Sequence, residues 1–306
     1  MRSNVSIVIV SFNTREKLRQ CLACIEPIHE IIVVDNASID GSVEMVRQDF
    51  PEVHLIVNPG NMGFGAANNI GCGTATRDLV LFLNSDAYAD PGAISKVEEV
   101  FTDPAVVAAG GMLLNPDRSL QLSTANRLNL WAVFCEQTYL EKLFPNSSFF
   151  SPYWTTQKLA KRPDPSETPQ IMGACLMVRA NKGEPIESFD VRYFLYCEDT
   201  DLCRRLERHG KLLYVPAAKF VHDLGSSSAK DPAIGIMRYN WGKELYFRIH
   251  HGMAASMVCL LLNRFGALLR LLAWTAKLVL SGFRSPSSKV QANVFWRVTT
   301  MPRRSP

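Results

Sequence analysis

The sequence predicts an α/β protein with a mostly parallel sheet flanked by helices and a C-terminal amphipathic helical extension. In the first half of the chain, short β-branched apolar runs alternate with helical patterns, which is typical of a parallel sheet. Polar residues directly follow several of these runs. Residues 253–306 contain eight Lys or Arg and no Asp or Glu. We therefore expect an α/β domain at residues 1–235 and a basic helical extension at residues 236–306.

Apolar runs and helical periodicity define the predicted elements. Strands are expected at residues 5–10, 30–34, 54–57, 79–83 and 106–112, with helices between them at 15–25, 42–49, 64–75 and 92–101. The aromatic and proline-rich stretch at 119–169 predicts a variable, partly mobile insertion. After it we expect regular structure at 171–179, a helix at 199–209, strands at 211–215 and 219–222, and a helix near 232–250. The alternation predicts a nucleotide-binding layout.

The composition fits a cytoplasmic globular protein. The chain has 306 residues with 47% hydrophobic content, which is ample for a packed core. The first apolar run, residues 5–10, is too short for a signal peptide and leads into polar residues, so we expect none. The eight cysteines lie scattered in apolar contexts, which predicts reduced thiols rather than disulfides.

Polar side chains follow three of the predicted strands. They are Ser11 and Asn13 after the first, Asp35, Asn36 and Ser38 after the second, and Asn84, Ser85 and Asp86 after the fourth. In open parallel sheets ligands bind beyond the carboxyl ends of the strands, so these residues are expected to share one site. Each also has a structural explanation: Asn13 could cap a helix, Asp40 could form a turn with Gly41, and Asp86 could help to start the next helix. Their joint placement favours a binding site.

Two of these carboxylates and one loop have specific chemistry. Asp86, beside the small Ser85, can hold Mg²⁺ or Mn²⁺ against a diphosphate. Asp35 can accept a hydrogen bond from the imide N–H of uracil or thymine. The loop at residues 58–65, which contains Asn61 and Gly63, precedes a helix whose exposed amides could help to hold the diphosphate, although the loop matches no standard phosphate-binding motif.

An acidic cluster and one histidine complete the candidate site. Residues 194–201 read FLYCEDTD, with acidic groups between an apolar run and an amphipathic helix. Helix capping accounts for some of these acids, and we assign it to Thr200 or Asp201, leaving Asp199 as the candidate general base. His222 ends a predicted strand before a Gly/Ser loop, where a neutral imidazole can bind a metal, although an isolated histidine is more often structural.

Six strings in this order resemble the family 2 glycosyltransferases, which have the Rossmann-like GT-A fold, and especially their bacterial rhamnosyltransferase-like members. The strings are VSIVIVSFN at 5–13, VDNASIDGS at 34–42, NMGFGAANN at 61–69, LNSD at 83–86, EDTDL at 198–202 and HDLGSSS at 222–228. The resemblance implies that Asp199 is the catalytic base and that Asp86 and His222 bind the metal, Mg²⁺ or Mn²⁺. Asn84 stands where the family has the first aspartate of its D-x-D motif. The implied donor-binding residues are Ser11, Asn13, Asp35, Asn36, Ser38, Asn61, Gly63, Asn68, Asn84 and Ser85.

The C-terminal segment predicts a membrane-associated helix. Polar residues recur at every seventh position, namely Ser256, Asn263, Arg270, Lys277 and Arg284, with apolar residues over the rest of the helix. We expect an interfacial helix whose basic stripe faces lipid head groups at the inner face of the plasma membrane. So wide an apolar face points away from nucleic acid. The alternative is a helix packed on the catalytic domain or on another subunit of a homo-oligomer.

The resemblance implies an inverting glycosyltransferase that moves a sugar, most simply L-rhamnose from dTDP-L-rhamnose, onto a lipid-linked or glycan acceptor for cell-surface or cell-wall polysaccharide. Two alternatives stay open. One is a transferase of the same fold that uses a UDP-sugar. The other is a catalytically silent sugar-nucleotide-binding scaffold, for which Asn84 is the only indication.

Overall fold

A computed structural model describes residues 3–181, 183–223 and 231–300 of the chain. The chain forms two compact units: the first comprises Met1–Arg127, Trp154–Phe194 and Glu198–Ser227, and the second comprises Leu128–Tyr153, Leu195–Cys197 and Ser228–Pro306. The longest segment of the second unit therefore begins before the predicted boundary at 236. The other two segments, Leu128–Tyr153 and Leu195–Cys197, lie within the residues predicted for the α/β domain.

The longer strands of the first unit match the predicted runs closely, and several strands of two or three residues are additional to them. They are β1 (Val5–Ser11), β2 (Glu30–Asp35), β3 (His54–Val57), β4 (Leu79–Asn84), β5 (Ala87–Ala89), β6 (Val106–Leu114), β7 (Thr124–Ala125), β8 (Ser166–Glu167), β9 (Gln170–Ile171), β10 (Cys175–Asn181), β11 (Glu184–Pro185) and β12 (Lys211–His222). The two strands expected at 211–222 form the single strand β12, whose register with β6 shifts between Val215 and Lys219. Pro216 lies in this interval, and it has no N–H to donate to the ladder.

The helices also follow the predicted order. They are α1 (Arg15–Ala23), α2 (Ser42–Asp49), α3 (Phe64–Cys72), α4 (Ala93–Glu99), α5 (Leu130–Gln137), α6 (Leu140–Leu143), α7 (Thr156–Leu159), α8 (Glu198–Leu206), α9 (Pro232–Leu280) and α10 (Pro286–Thr300). The insertion at 119–169 thus contains three helices that its weak periodicity did not predict. Asn129 begins α5 by accepting a hydrogen bond from the backbone N–H of Ala132.

The main sheet has the strand order β3-β2-β1-β4-β10-β6-β12-β5. Strands β3, β2, β1 and β4 run parallel, as do β6 and β12, whereas β10 is antiparallel to both of its neighbours. Both faces of the sheet are buried: Ile7 and Ile9 of β1 pack into one apolar cluster and Val8 packs into the other. Near-continuous apolar strands of this kind are expected where helices cover both faces.

The second unit is helical, and α9 folds back on itself. Gly252 has φ 86° and ψ 176°, so the helix is interrupted there. Beyond the break, Ser256 donates a hydrogen bond to the carbonyl of Glu244 (2.9 Å), and Asn263 donates one to the carbonyl of Asn240 (3.3 Å). These pairings run in opposite directions along the chain, so 232–251 and 253–280 form an antiparallel helical hairpin. Helix α10 packs against this hairpin through Val294 and Val298.

The hairpin reverses the predicted orientation of the polar stripe. Asn263 is 1% exposed, and Arg270 donates hydrogen bonds to the backbone carbonyls of Glu136 and Gln137. Three stripe members therefore face the interior of the second unit, and the expectation that the stripe faces lipid head groups is wrong for them. The exposed face is instead apolar and consists of Met253, Met257, Leu261, Phe265, Leu268 and Leu272.

Helix α9 is long and apolar enough to cross a membrane, the one helix with this property among residues 3–181, 183–223 and 231–300. Its most apolar 18-residue window has a mean hydropathy of 1.6, and only 22% of that window is buried. A single helix of this composition also occurs in soluble proteins, so its length and hydropathy do not by themselves establish a membrane span.

Candidate active site

Three neighbouring strands end together at one edge of the sheet. Ser11 at the end of β1 lies in register with Asp35 of β2, and Val10 lies in register with Asn84 of β4. The polar residues that follow these strands are thereby brought to the same edge, as the sequence predicts. Ligands bind at such edges in parallel sheets, so this edge is the candidate active site.

Asp35 presents a buried carboxylate with one oxygen unused. The residue is 1% exposed, and its Oδ1 atom accepts a hydrogen bond from the backbone N–H of Ser38 (2.8 Å). Its Oδ2 atom is buried and has no hydrogen-bond partner in the described part of the protein. A buried acceptor left without a donor costs about 1–3 kcal/mol. A ligand that supplies an N–H would remove that cost.

The loop after β2 is fixed by side-chain hydrogen bonds to the start of α1. Ser38 Oγ accepts from the backbone N–H of Asn13 (2.8 Å), while Asn13 Oδ1 accepts from that of Ile39 (2.8 Å). Asp40 accepts from the backbone N–H groups of Arg15 (2.9 Å) and Ser42 (3.1 Å). Asn13 therefore holds the loop rather than capping α1, and Asp40 joins the starts of α1 and α2.

Buried hydroxyl groups connect the ends of β1 and β4. The Thr14 hydroxyl lies 3.1 Å from that of Ser11 and 2.9 Å from that of Ser85. Asn36, directly after β2, connects to the loop that follows β3: it donates to the carbonyl of Gly63 (3.2 Å) and accepts from Asn58 Nδ2 (2.8 Å). Several predicted donor-binding residues thus also hold the strand ends and loops in place.

The start of α3 is less open to an anion than the sequence suggests. Asn61 Oδ1 accepts from the backbone N–H of Gly63 (3.0 Å), and the N–H of Phe64 donates to the carbonyl of Phe194 (2.9 Å). Two amides expected to hold the diphosphate are therefore already bonded within the protein. Gly63 is required for another reason: it has φ 84°, and a Cβ atom there would lie 2.6 Å from the Phe194 oxygen.

Asn68 lies within α3 rather than at a free surface. It is 1% exposed, and its Nδ2 atom donates to the carbonyl of Phe64 (3.0 Å). The side chain therefore serves the helix backbone, and its donor-binding role stays a prediction.

His222, Asp86 and Asn84 converge at the ends of β12 and β4. The Nε2 atom of His222 lies 3.3 Å from Asp86 Oδ1 and 3.2 Å from Asn84 Nδ2. All three side chains are largely buried, and Asn84 Oδ1 has no hydrogen-bond partner in the described residues. The imidazole nitrogen, the Asp86 carboxylate and the Asn84 amide nitrogen therefore lie within hydrogen-bonding distance of one another around His222 Nε2. Residues 224–228 of the string at 222–228 lie outside the described residues.

Gln121 fixes the orientation of His222. Its Oε1 atom lies 2.7 Å from His222 Nδ1, and its Nε2 atom donates to the His222 carbonyl (3.0 Å). A hydrogen bond to Oε1 places the imidazole proton on Nδ1, which leaves Nε2 as an acceptor, 3.2 Å from Asn84 Nδ2 and 3.3 Å from Asp86 Oδ1.

These residues fit a divalent metal held jointly with a ligand. Among the described residues, no group of three or more His, Cys, Asp or Glu side chains could hold a metal ion, so the chain alone offers only a partial set. Asp86 and His222 would supply two ligands, and the Asn84 side chain contacts His222 through its amide nitrogen. Mg²⁺ and Mn²⁺ in nucleotide sites commonly take one or two protein ligands, with phosphates and water completing the shell.

Asp199 lies at the start of α8, with its carboxylate held by two backbone amides. Its Oδ2 accepts from Gly173 (2.9 Å), and its Oδ1 accepts from Thr200 (2.7 Å). The Thr200 hydroxyl accepts from Gln170 Nε2 (2.9 Å). Asp201 pairs instead with Arg205 of the same helix (2.9 Å). The acids of this cluster therefore have separate surroundings, and Asp199 is the one whose orientation is set by the neighbouring backbone.

Two adjacent carboxyl groups here have raised pKa values. Burial, and secondly the charge of Asp199, raise the pKa of Glu198 to about 8. Burial also raises the pKa of Asp199, against the hydrogen bonds from Gly173 and Thr200 that lower it. Glu198 Oε2 is buried without a partner in the described chain. Perturbed carboxyl groups of this kind are typical of acid–base sites.

Tyr196 and Cys197, immediately before this pair, have left-handed backbone conformations with φ 76° and 69°. Such angles cost roughly 1–3 kcal/mol in a non-glycine residue and persist only where the surroundings impose them. Strain of this kind is concentrated at functional sites, and here it directly precedes the candidate base.

Sequence reasoning missed Gln121, Gly173 and Lys17. Gln121 and Gly173 orient His222 and Asp199, as described above, and Lys17 pairs with Asp223 (2.7 Å), next to His222. None of the three lies in a recognisable motif. Gln121 lies in the irregular insertion, and its contact with His222 spans 101 residues of sequence, so local patterns carry no signal for it.

Comparison with known proteins places this geometry in a family. The model of the family described as Glycosyl transferase family 2 matches residues 6–160, just over half of the chain. The chain is 29% identical over 275 residues to an N-acetylglucosaminyl-diphospho-decaprenol L-rhamnosyltransferase of Mycobacterium tuberculosis. That alignment covers 82% of this chain and 86% of the relative. It is also 29% identical over 240 residues to the rhamnosyltransferase WbbL of Escherichia coli, covering 71% and 83% of the two chains.

A solved structure shares the fold. The mannosyltransferase PcManGT from Pyrobaculum calidifontis, in complex with GDP-Man and Mn²⁺, aligns with a TM-score of 0.56 and 15% identity. The alignment covers 97% of this chain and 85% of that chain.

Proposed function

Because this chain belongs to glycosyltransferase family 2, we propose that it is an inverting rhamnosyltransferase that moves L-rhamnose from dTDP-L-rhamnose onto a lipid-linked acceptor used for cell-surface polysaccharide. The glycosyltransferase class follows from the family and from the shared GT-A fold. The observation that carries the proposal is the convergence of Asp86, Asn84 and His222 at the same sheet edge as the unused Asp35 oxygen. The names of two relatives support the donor sugar.

Asp35 supports recognition of the nucleobase. Its Oδ2 atom is buried without a donor in the described chain, whereas Ser38 already occupies Oδ1. Thymine and uracil both carry an imide N–H that would complete this site, whereas cytosine carries no such donor. The arrangement favours dTDP or UDP and does not separate the two.

Asp86, His222 and Asn84 would hold the divalent metal together with the diphosphate. When bound, Mg²⁺ or Mn²⁺ would neutralise the charge that develops on the departing nucleoside diphosphate. Gln121 keeps His222 in the tautomer whose Nε2 can act as a ligand.

Asp199 is the proposed general base. It would take the proton from an acceptor hydroxyl while the hydroxyl oxygen forms a bond to the anomeric carbon. The bond from that carbon to the diphosphate oxygen breaks, and the electron pair leaves with the nucleoside diphosphate. A single displacement inverts the anomeric configuration. The raised pKa of Asp199 makes it a stronger base than an exposed carboxylate.

The second unit supports attachment to the cytoplasmic surface of a membrane. Its outward stripe from Met253 to Leu272 is apolar, with Leu261 63% and Leu272 58% exposed. Residues 253–306 carry no acid, so the net charge of this segment is positive and complements anionic lipids. Soluble helices normally bury the apolar face and expose the polar one, and this helix does the reverse. A lipid-linked acceptor would be met at that surface.

Nucleoside diphosphate release from a panel of dTDP- and UDP-sugars tests the proposal. The assay contains membrane lipid extract as the acceptor source and is run with Mg²⁺ or Mn²⁺ and then with EDTA. We expect metal-dependent turnover of dTDP-L-rhamnose that the lipid extract stimulates. Turnover of a UDP-sugar alone would show that the donor is that UDP-sugar and not dTDP-L-rhamnose. Binding of dTDP without turnover of any donor, with lipid extract present, would favour the silent scaffold that Asn84 suggests.

A further inference from the structure

An open cavity lies at the carboxyl end of β6. Its volume is about 490 Å³, which is within the usual range for small-ligand pockets. The lining residues come from 112–120 and 157–161, and both segments belong to the first unit. The donor, metal and base roles proposed above use none of these residues. The cavity therefore has no ligand assigned to it.

The cavity lies at the same edge of the sheet as His222. Strand β6 runs parallel to β12, and Leu114 lies in register with Val221, the residue before His222. Leu120 forms a β-bridge with Leu114 and directly precedes Gln121, which holds the His222 imidazole. A ligand in the cavity would therefore lie near the residues proposed to hold the metal and the departing diphosphate.

The lining combines apolar side chains with two basic ones. Met112, Leu114 and Leu120 are apolar, whereas Arg118 and Lys161 carry positive charge. No acidic side chain lines the cavity among the residues that the structure describes. A nucleobase or a sugar presents hydrogen-bonding groups that the apolar side chains cannot satisfy. An alkyl chain that carries a phosphate matches both parts of the lining.

The charge at the cavity stays positive when its neighbours are counted. The backbone N–H of Arg118 donates to the Asn115 carbonyl (2.7 Å), and its guanidinium donates to the two carboxylate oxygens of Asp90 (3.3 and 2.6 Å). An arginine has five N–H donors, so this pairing leaves others for a ligand. Lys161 has no ion pair within the described part of the chain. Arg118, Lys161 and Asp90 together therefore favour an anion.

We infer that this cavity binds the phosphate end of the lipid-linked acceptor, with Arg118 and Lys161 contacting phosphate oxygens and the apolar side chains contacting the first alkyl carbons. The inference rests on the proposed function, because it takes the acceptor to be lipid-linked. Guanidinium and ammonium groups donate strong hydrogen bonds to phosphate oxygens, and burial of alkyl carbons adds affinity. Binding the acceptor at this edge would bring its hydroxyl group toward the donor.

Isothermal titration with farnesyl diphosphate, inorganic pyrophosphate and farnesol tests both parts of the lining. We expect farnesyl diphosphate to bind at least about tenfold more tightly than either of the other probes, because only it offers an anion and an alkyl chain together. Equal affinity for pyrophosphate would show that only the anion is bound and would overturn the assignment to a lipid phosphate. Displacement of farnesyl diphosphate by saturating dTDP and Mn²⁺ would place the probe in the donor site and would also overturn it.

The Lys161→Glu substitution locates the probe, with Lys158→Glu as the matched control. Lys161→Glu should weaken farnesyl diphosphate binding by about tenfold or more, because repulsion replaces a charge-assisted hydrogen bond. Lys158 is also exposed and lies three residues earlier, but it does not line the cavity. Lys158→Glu makes the same charge change and should keep the wild-type affinity. Equal weakening in both variants would reduce the effect to net charge and would contradict the inference.

Turnover separates this inference from the proposed function. With dTDP-L-rhamnose as the donor, Lys161→Glu should need about tenfold more lipid extract for half-maximal turnover, while its affinity for dTDP stays at the wild-type value. Wild-type dependence on lipid extract in Lys161→Glu would overturn the inference even where the wild type transfers rhamnose. Absence of turnover in the wild type would instead count against the proposed function, and the farnesyl diphosphate titrations would still decide what the cavity binds.

Discussion

His222 Nδ1 lies 2.7 Å from Oε1 of Gln121, and the Gln121 amide also binds the His222 carbonyl. Both polar ends of one buried side chain are therefore used to hold one imidazole. The consequence is a fixed tautomer whose other nitrogen faces Asp86. The first prediction concerns this pair.

Replacing Gln121 with Leu should weaken Mn²⁺ binding in the presence of dTDP by about 10- to 100-fold, the usual effect of losing an outer partner of a metal-bound histidine. Gln121→Glu keeps an acceptor for Nδ1 and should lose less. Nitrogen-15 shifts of the His222 ring should show the Nδ1–H tautomer in the wild type and a mixture in Gln121→Leu. An unchanged ring tautomer in Gln121→Leu would show that Gln121 does not orient the histidine.

Asp86→Ala should remove the metal dependence of nucleotide binding. The carboxylate is the strongest anionic ligand at this site, so without it dTDP should bind with Mn²⁺ no better than with EDTA. Isothermal titration of dTDP with Mn²⁺ and with EDTA measures the difference. Asp40→Ala, which alters only the loop contacts of a carboxylate on the same edge, is the control and should keep a metal effect.

Asp199→Asn should lower kcat by about 10²- to 10⁴-fold, the contribution of a general base, while leaving dTDP affinity within error. The amide keeps an oxygen acceptor for one backbone N–H but cannot take a proton. Sugar transfer measured alongside dTDP titration separates chemistry from binding. Turnover near the wild-type level would remove Asp199 from the mechanism.

The raised pKa of Glu198 predicts a stability profile that falls with pH. The folded protein keeps this carboxyl protonated up to about pH 8, whereas the unfolded chain releases the proton near 4.5. The folded state therefore binds more protons between these values, and the free energy of unfolding should decrease as pH rises through that interval. Glu198→Gln should be more stable than the wild type at pH 8 and should show a flatter profile. Melting temperatures from pH 5 to 8 test this, and parallel profiles would contradict it.

The double substitution Leu261→Lys with Leu268→Lys should weaken binding to phosphatidylglycerol vesicles by about tenfold or more, because two exposed apolar side chains would no longer enter the lipid. Vesicle sedimentation measures the loss. Val191→Lys, at a position 64% exposed in the first unit, also replaces an exposed apolar side chain by a lysine and should leave vesicle binding unchanged. Undiminished vesicle binding of the double variant would show that this apolar face does not enter the lipid and would favour another subunit as its partner.

The strand positions and the chemistry at their ends were readable from sequence. Apolar runs are local signals, so β1 to β4 appear within a residue or two of the predicted bounds. Asp35 and Asn84 end β2 and β4, and Asp86 lies two residues after β4. The helices of the insertion at 119–169 were harder to predict from the sequence. Helix α5 depends on the cap at Asn129 and on packing against α9 more than on a strong helical periodicity of apolar residues.

The C-terminal helix shows where local pattern misleads. A seven-residue polar period marks one face of a helix but does not say whether that face meets solvent or protein. Gly252 interrupts α9 and allows the chain to fold back, so Asn263 and Arg270 are bonded inside the helical unit and the apolar face is exposed. Only the packed hairpin decided that orientation.

The sequence by itself determined the fold class, the family, the order of the elements and the acidic and amide groups at the candidate site, because these follow from periodicity and from motifs of adjacent residues. The tertiary structure alone decided that Gln121 holds His222 and that Gly173 holds Asp199. Each of these contacts joins residues far apart in the chain. Their existence depends on how whole elements pack, which no local pattern records.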